Sequence, residues 1–469
     1  MRRALALLGG LSLTACAVGP DFTTPSAPPT DHFTAAGESM PKLAALGGKA
    51  HGQWWKMYKS SDLDAVIAQA LAKNQTLEEA KATLEEVRRR AEATSGILLP
   101  QVDLGGSAMR EKINYTSFGL AYPPNTLNLY SVGAAVSYSL DLFGHDRRLV
   151  EAADATAEAQ KDRLEGAYLT LTGQVVMHAI NAAALEEQVR LASAIVTADK
   201  KRSDLMHLER QARTVTDRDV AEVDAQLAAD AAMIPPLRTQ LAAERHTLAA
   251  LVGQTPDQWS PPTLTLSSFQ RPETIPVNLP SELVRRRPDI QAAEADLHAA
   301  SAMVGVAEAN RFPRLTLSAD VAQWATLPGH LWQDAATGAA MGGTLTAPLF
   351  HGGQLSAEQH AAEAAYQASF ARYRQTVLNS FAQVATVLQS LVQDQDEVAQ
   401  TAKAVHATGK ATRLASLQQQ NGTIGLLPLL VDERQENMMR LSDIQARAQY
   451  LRDCAELALA SGGEVMAAR

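Results

Sequence analysis

A chain of 469 residues is long enough for two or three ordinary domains or for one long, thin object, and length alone does not choose between them. Its residues are 46% hydrophobic but only 5% aromatic, and alanine dominates the apolar set, which suits long, closely packed helices better than a thick globular core. A net charge of −9 with no basic stripe interleaved with aromatics argues against nucleic acid as a partner, and two cysteines, Cys16 and Cys454, cannot build a disulfide framework or a thiolate metal cage within one chain.

Arg2 and Arg3 precede an apolar stretch from Ala4 to Leu13, too short to span a bilayer as a mature helix and shaped like the core of a secretory signal. It ends Leu13-Thr14-Ala15-Cys16, which resembles the lipobox of bacterial lipoproteins. The resemblance implies that residues 1–15 are removed and that Cys16, acylated on its thiol, is the lipid anchor; an ordinary signal peptide is the alternative. Ala17 stands where lipoproteins held in the inner membrane usually carry Asp, which implies delivery to the outer membrane. Residues 16–50, with Pro20, Pro25, Pro28, Pro29 and Pro41, read as an extended tether with little regular structure. Beyond the N-terminus there is no run of about 18 apolar residues, so a membrane crossing must use strands.

The rest reads as a tandem duplication, residues 51–280 and 281–469. Leu99-Pro100-Gln101-Val102-Asp103-Leu104 resembles Phe312-Pro313-Arg314-Leu315-Thr316-Leu317, and the same shift places Ala80 and Leu84 on Ala293 and Leu297. Each half runs a helix into a proline and then a strand. Val132, Ala134, Val136, Tyr138 and Leu140 alternate with small or polar neighbours, as do Val102, Leu104, Gly106 and Ala108, and Leu315, Leu317, Ala319 and Val321. These patterns predict β-hairpins over 101–143 and 314–350, each with a long turn. Long helical hairpins follow over 144–252, before a linker, and over 352–460, before a C-terminal tail. Leu164, Tyr168, Leu171, Val175, Ala182, Leu185, Val189, Ala192 and Val196 mark a coiled-coil seam interrupted at His178; Phe370, Tyr373, Val377, Val384, Val387 and Leu391 mark its counterpart. A helix from His145 to about Gln211 is roughly 100 Å long.

Four strands cannot close a transmembrane barrel, which needs about eight at the least, and an open edge is intolerable in lipid. The chain must oligomerise. Three copies supply twelve strands and a lumen for water and solutes.

Several segments resemble the TolC-like outer membrane factors, specifically the NodT/OprM-like lipoprotein branch that serves resistance-nodulation-division pumps. Cys16-Ala17-Val18-Gly19-Pro20-Asp21-Phe22 is similar to the start of its mature chains, and Trp54-Trp55 before Leu63-Asp64 to their approach to the first helix. Arg286-Arg287-Pro288-Asp289-Ile290 followed by Ala293-Glu294 matches the family's most recognisable motif. Its physical reading is structural: Pro288 suits the first turn of a helix and Asp289 the positive end of its dipole. The resemblance implies a mainly α fold with a transmembrane β part: a homotrimer with a twelve-stranded β-barrel continued by a periplasmic α-barrel. It also implies outer-membrane lipid, a periplasmic adaptor (membrane fusion protein) and an inner-membrane pump as partners, with the chain exporting small molecules as a passive gated duct.

The resemblance places the closed end at the helix tips, near Arg213 to Asp219 and Asn421 to Leu430, with Arg213, Thr214, Gly422, Thr423 and Gly425 as candidate adaptor contacts. The candidate gate charges are Asp217, Asp219, Asp432 and Arg434. Arg434 falls on the family's arginine, but Val431 holds the expected aspartate position with Asp432 next to it, and Arg213 stands where the family usually has glycine. For any one of these charges a solvated helix face is the competing reading.

No catalytic constellation, cofactor motif or metal-ligand spacing occurs: there is no Walker loop, dinucleotide fingerprint or His-Glu-x-x-His, and His178 and Cys454 read as packed core residues. The chain is expected not to be an enzyme. The rival readings are a duct for protein or polymer secretion and a structural lipoprotein that spaces the envelope.

Overall fold

The computed structural model describes residues 17–463 except 31, 35, 36, 47–52, 115–118 and 120; the expected signal peptide and Cys16 lie outside the described residues. Contacts divide the chain into two compact units, each drawn from both halves of the sequence. The first comprises Met1–Pro25, Leu84–Gln160 and Ala292–Tyr373; the second comprises Ser26–Thr83, Lys161–Gln291 and Arg374–Arg469.

The first unit is built on an antiparallel sheet of β2 (Gln101–Ile113), β3 (Asn125–Leu140), β5 (Arg314–Ala325) and β6 (Thr337–Thr346), paired in that order. The register carries the period-2 pattern across all four strands. Val102, Val136, Ala319 and Met341 form one row and Leu104, Ala134, Val321 and Ala339 the next, all on one face. The other face carries Asp103, Ala135, Asp320 and Ala340, and then Gly105, Gly133, Ala322 and Gly338. One face is therefore apolar and the other small or polar, and β2 and β6 are open edges. At Gly133 a Cβ would lie 2.3 Å from the Ala322 Cβ, so the close approach of β3 to β5 requires glycine.

The segment from Ala17 to Phe22 packs within this unit. The Val18 amide donates to the Phe143 carbonyl (3.0 Å), Arg148 donates to Asp21 (2.6 Å), and Phe22 stacks on His298 at 4.5 Å. Gly19 takes a φ of +90° and approaches Gly305 so closely that a Cβ would stand 2.4 Å from its Cα. The resemblance at Gly19-Pro20-Asp21-Phe22 is thus a packing motif.

In the second unit lies the main core. Tether residues Ala44–Leu46 (β1) pair in parallel with Ile275–Val277 (β4). Trp54 and Trp55 are buried, the Trp54 indole donates to Thr172 (3.2 Å), and the Tyr58 hydroxyl donates to the Leu451 carbonyl (2.7 Å). The first helix is split by Asn74 into α1 (Ser61–Lys73) and α2 (Gln75–Ser95). The two long helices are α3 (His145–Gln211) and α8 (Gln354–Gln420), each of 67 residues. Their returning arms differ. The second is one helix, α9 (Leu426–Ala460), whereas the first breaks into α4 (Asp217–Ala231) and α5 (Ile234–Leu251). Pro235 and Pro236 cause the break: lacking amide hydrogens, they fit a first turn and not a helix interior. The returning arm of the hairpin over 144–252 is thus two helices in place of one.

Around residues 171–185 α3 is buried on nearly every side, more than a single seam provides. His178 is not a packed core residue: it is half-buried and hydrogen-bonded to Glu244 at 2.5 Å. Cys454 is free and fully buried, and burial pushes its thiol up to about 12, so it stays neutral. Among the described residues no helix is long and apolar enough to cross a membrane.

Candidate functional site

The two helix tips have the same local geometry, which the duplicated sequence dictates. After α3, Ala212 donates to Leu208, Arg213 to Arg210 and Thr214 to Glu209; after α8, Asn421 donates to Leu417, Gly422 to Gln419 and Thr423 to Gln418. Both threonine hydroxyls also bond back, Thr214 to the Glu209 carbonyl and Thr423 to the Gln418 carbonyl, each at 2.8 Å. Each turn closes through a left-handed residue, Arg213 at φ +60° and Gly422 at +71°. Thr216 then opens α4 in a capping box with Asp219, while Gly425 opens α9 without a side-chain cap. The candidate contacts Arg213, Thr214, Gly422, Thr423 and Gly425 are all exposed.

The candidate gate charges do not form one cluster. Asp217 pairs with Arg210, which holds its carboxyl below the usual range. Asp219 is held low by the Thr216 hydroxyl and amide, which occupy its Oδ2. The Asp432 main-chain carbonyl accepts from the Thr412 hydroxyl (3.2 Å). Arg434 alone joins a buried ionic cluster, with two partners that the sequence reading missed. It donates twice to Asp230 of α4 (2.6 and 3.0 Å) and lies 3.8 Å from Asp199 of α3.

Asp199 and Asp230 are both buried. Burial, and then the neighbouring Asp230, push Asp199 up to about 6; burial also opposes ionisation of Asp230, but the hydrogen bonds from Arg434 and Asp199 outweigh it and hold that carboxyl low. One arginine thus ties α9 to α3 and α4. The available signal was Asp199 itself, an acid on the stripe of buried residues that runs Ala192, Ile195, Ser203 and Met206.

The Arg286-Arg287-Pro288-Asp289 motif joins two helices. Pro280–Arg286 forms α6, Arg287 is extended before the proline, and Pro288 opens α7 (Pro288–Ala309). Arg287 grips Asp289 with two hydrogen bonds (3.0 and 2.9 Å) and donates to the Ala460 carbonyl at the end of α9 (2.8 Å) and to Gln383 of α8 (3.1 Å). Asp289 also accepts the Ile290 amide (3.0 Å). The motif fastens the ends of three helices.

On the sheet, the apolar face is bare: Leu104 is 80% exposed, Val102 69% and Met341 87%. Contiguous apolar surface of that kind marks a membrane or partner surface. No group of three or more His, Cys, Asp or Glu side chains that could hold a metal ion occurs among the described residues.

An antiparallel sheet with open edges and one bare apolar face, combined with helices of 67 residues, is the protomer architecture of TolC-like channels. The outer membrane efflux protein family matches residues 66–254 and 279–463. The chain belongs to that family. It is 30% identical to the pyoverdine export outer membrane protein OpmQ of Pseudomonas putida over 96% of this chain and 94% of that one. Nodulation protein T of Rhizobium leguminosarum bv. viciae is 26% identical over 97% and 92%. Among solved structures, the outer-membrane channel OprN superposes with a TM-score of 0.86 at 28% identity, covering 96% of this chain and 99% of that one. The open state of the MtrE channel of Neisseria gonorrhoeae superposes at 0.83 with 26% identity, covering 96% and 99%.

Proposed function

We propose that the chain is the outer-membrane subunit of a tripartite efflux pump, a passive gated duct for small molecules. It acts as a homotrimer, with a periplasmic adaptor and an inner-membrane pump that supplies the energy. The exposed apolar face of the four-stranded sheet carries this reading. Its edges β2 and β6 have unpaired backbone groups, which lipid does not tolerate, and three copies joined edge to edge satisfy them while turning the small, polar face inward. Related proteins export pyoverdine (OpmQ) and toluene (TtgC), and both cargoes are small molecules. Cys16 is the lipid anchor in this reading. The tip turns, with Arg213, Thr214, Gly422, Thr423 and Gly425 exposed, meet the adaptor.

The closed state is held at the tips by Arg434 with Asp230 and Asp199, and the pairs formed by Asp217 and Asp219 keep the α3–α4 turn in shape. The deciding experiment combines the native mass of the detergent-extracted protein with single-channel recording in a planar bilayer. A trimer with discrete conductance steps supports the duct; a monomer that never conducts points to the envelope spacer.

A further inference from the structure

Away from the tips, the contact between α8 and α9 holds two aspartates that neither the membrane face nor the tip cluster uses. Asp394 of α8 and Asp453 of α9 are 7% and 6% exposed and line one cavity as neighbouring carboxyls. From Asp453 a chain of hydrogen bonds crosses to two further helices. Gln449 donates to Asp453 (2.8 Å), and Arg452 donates both to Gln449 (2.5 Å) and to Asn181 of α3 (2.6 Å). Asn181 in turn donates to Glu244 of α5 (3.2 Å), whose other oxygen meets His178. Arg452 thus spends these hydrogen bonds on two amides, and Asp394 Oδ2 is buried without a hydrogen-bond partner.

The charges facing Asp394 do not compensate it. Asp453 and Arg452 come from α9 and Glu397 from its own helix; Glu38 of the tether lines the same cavity of about 570 Å³. The Cys454 thiol beside them stays neutral. Two carboxylates, those of Asp453 and Glu397, therefore stand against one guanidinium that is already engaged. Burial is the largest influence on Asp394, followed by Asp453 and Glu397, and together they push it up to about 7 against the opposing Arg452.

We propose that the Asp394–Asp453 pair is a proton-operated clasp between α8 and α9: a shared proton holds the two helices together, and its loss leaves two like charges in the contact and loosens it. A carboxyl raised above its unfolded value stabilises the fold fully below that value, about 4, and the contribution is lost as pH rises through about 7. The clasp is closed on the acid side and opens on the alkaline side of neutrality.

Hydrogen exchange of the full-length, detergent-extracted protein tests this between about pH 5.5 and about pH 8.5, corrected for intrinsic exchange. Protection in peptides covering 385–398 and 445–456 is expected to fall about tenfold across that range. A peptide from the start of α3, residues 150–160, serves as internal reference. Asp394→Asn, which keeps the shape but cannot ionise, is expected to retain protection at the alkaline end. An equal loss in Asp394→Asn, or an equal loss in the α3 reference peptide, overturns the clasp. If that variant does not assemble, the wild-type profile decides, because a flat response in the two α8 and α9 peptides overturns it alone. Neither outcome depends on whether the protein conducts.

Discussion

Arg213 and Gly422 occupy the same place in the two tip turns and the same left-handed conformation, yet only glycine adopts it without a Cβ penalty of about 1–2 kcal/mol. Arg213→Gly is expected to slow amide exchange over residues 210–216 by an amount equivalent to about 1 kcal/mol, with the Arg210–Asp217 pair retained. Unchanged exchange would mean that the Arg213 side chain offsets the strain through a contact of its own. At Arg434 the constraint is electrostatic, not conformational: its charge is what compensates two buried carboxyls. Replacing it with Gln leaves Asp230 and Asp199 buried without their cation, at a cost of about 3 kcal/mol near pH 7. The cost should shrink below about pH 6, where Asp199 takes up a proton, and Asp230→Asn in the same chain should recover most of it. Thermal unfolding at two pH values checks the pair; a loss equal at both would show that Asp199 is not part of the cluster. Arg434 could be picked out from the chain because it falls on a motif. Its pairing with Asp199 and Asp230 could not, because these come from two other helices and only folding brings the three side chains together.

At the scale of elements, regular periods were readable and interruptions were not. The alternation around Val132, Ala134 and Val136 locates β3, and the same alternation locates its neighbours, because a half-exposed strand must keep its faces distinct. The break between α4 and α5 is marked in the sequence by Pro235-Pro236, but the apolar period that defines the hairpin lies on α3 and says nothing of the returning arm. His178 sits near apolar seam positions, and its partner Glu244 lies on α5, so sequence spacing could not show that it pairs with a carboxylate of another helix. Gly133 marks where the sheet tolerates no side chain at all. Gly133→Val drives a Cβ into Ala322 and should cost about 1–3 kcal/mol or prevent β3 from pairing with β5. The readout is the fraction of heat-modifiable, folded oligomer in detergent. Gly342, on neighbouring β6, has open space at its Cβ, so Gly342→Val should leave that fraction unchanged; equal damage from both would point to strand propensity and not to the close approach.

At the scale of the molecule, the decisive question is which side of the sheet meets lipid, and two adjacent alanines answer it. Ala134 and Ala135 are neighbours on β3 and point to opposite faces: Ala134 shares its row with Leu104 and Val321, while Ala135 shares its row with Asp103 and Asp320. If three copies close into a barrel with the apolar face outward, Ala134→Arg puts a guanidinium into hydrocarbon at a cost of about 2–4 kcal/mol per copy near the midplane. Ala135→Arg puts the same group between two carboxylates in the aqueous lumen, where it costs little and should shift ion selectivity away from cations. The expected outcome is a steep loss of assembled protein for Ala134→Arg, and for Ala135→Arg normal assembly with altered reversal potential under a salt gradient. Equal tolerance of both substitutions would mean that neither face is in lipid, and the envelope spacer would then explain the long helices better than the duct does. The reverse ranking would turn the sheet inside out, leaving Leu104, Val321 and Met341 to line the lumen. An aqueous pore walled by that face would wet poorly, which gives recorded conductance as the independent check on the orientation.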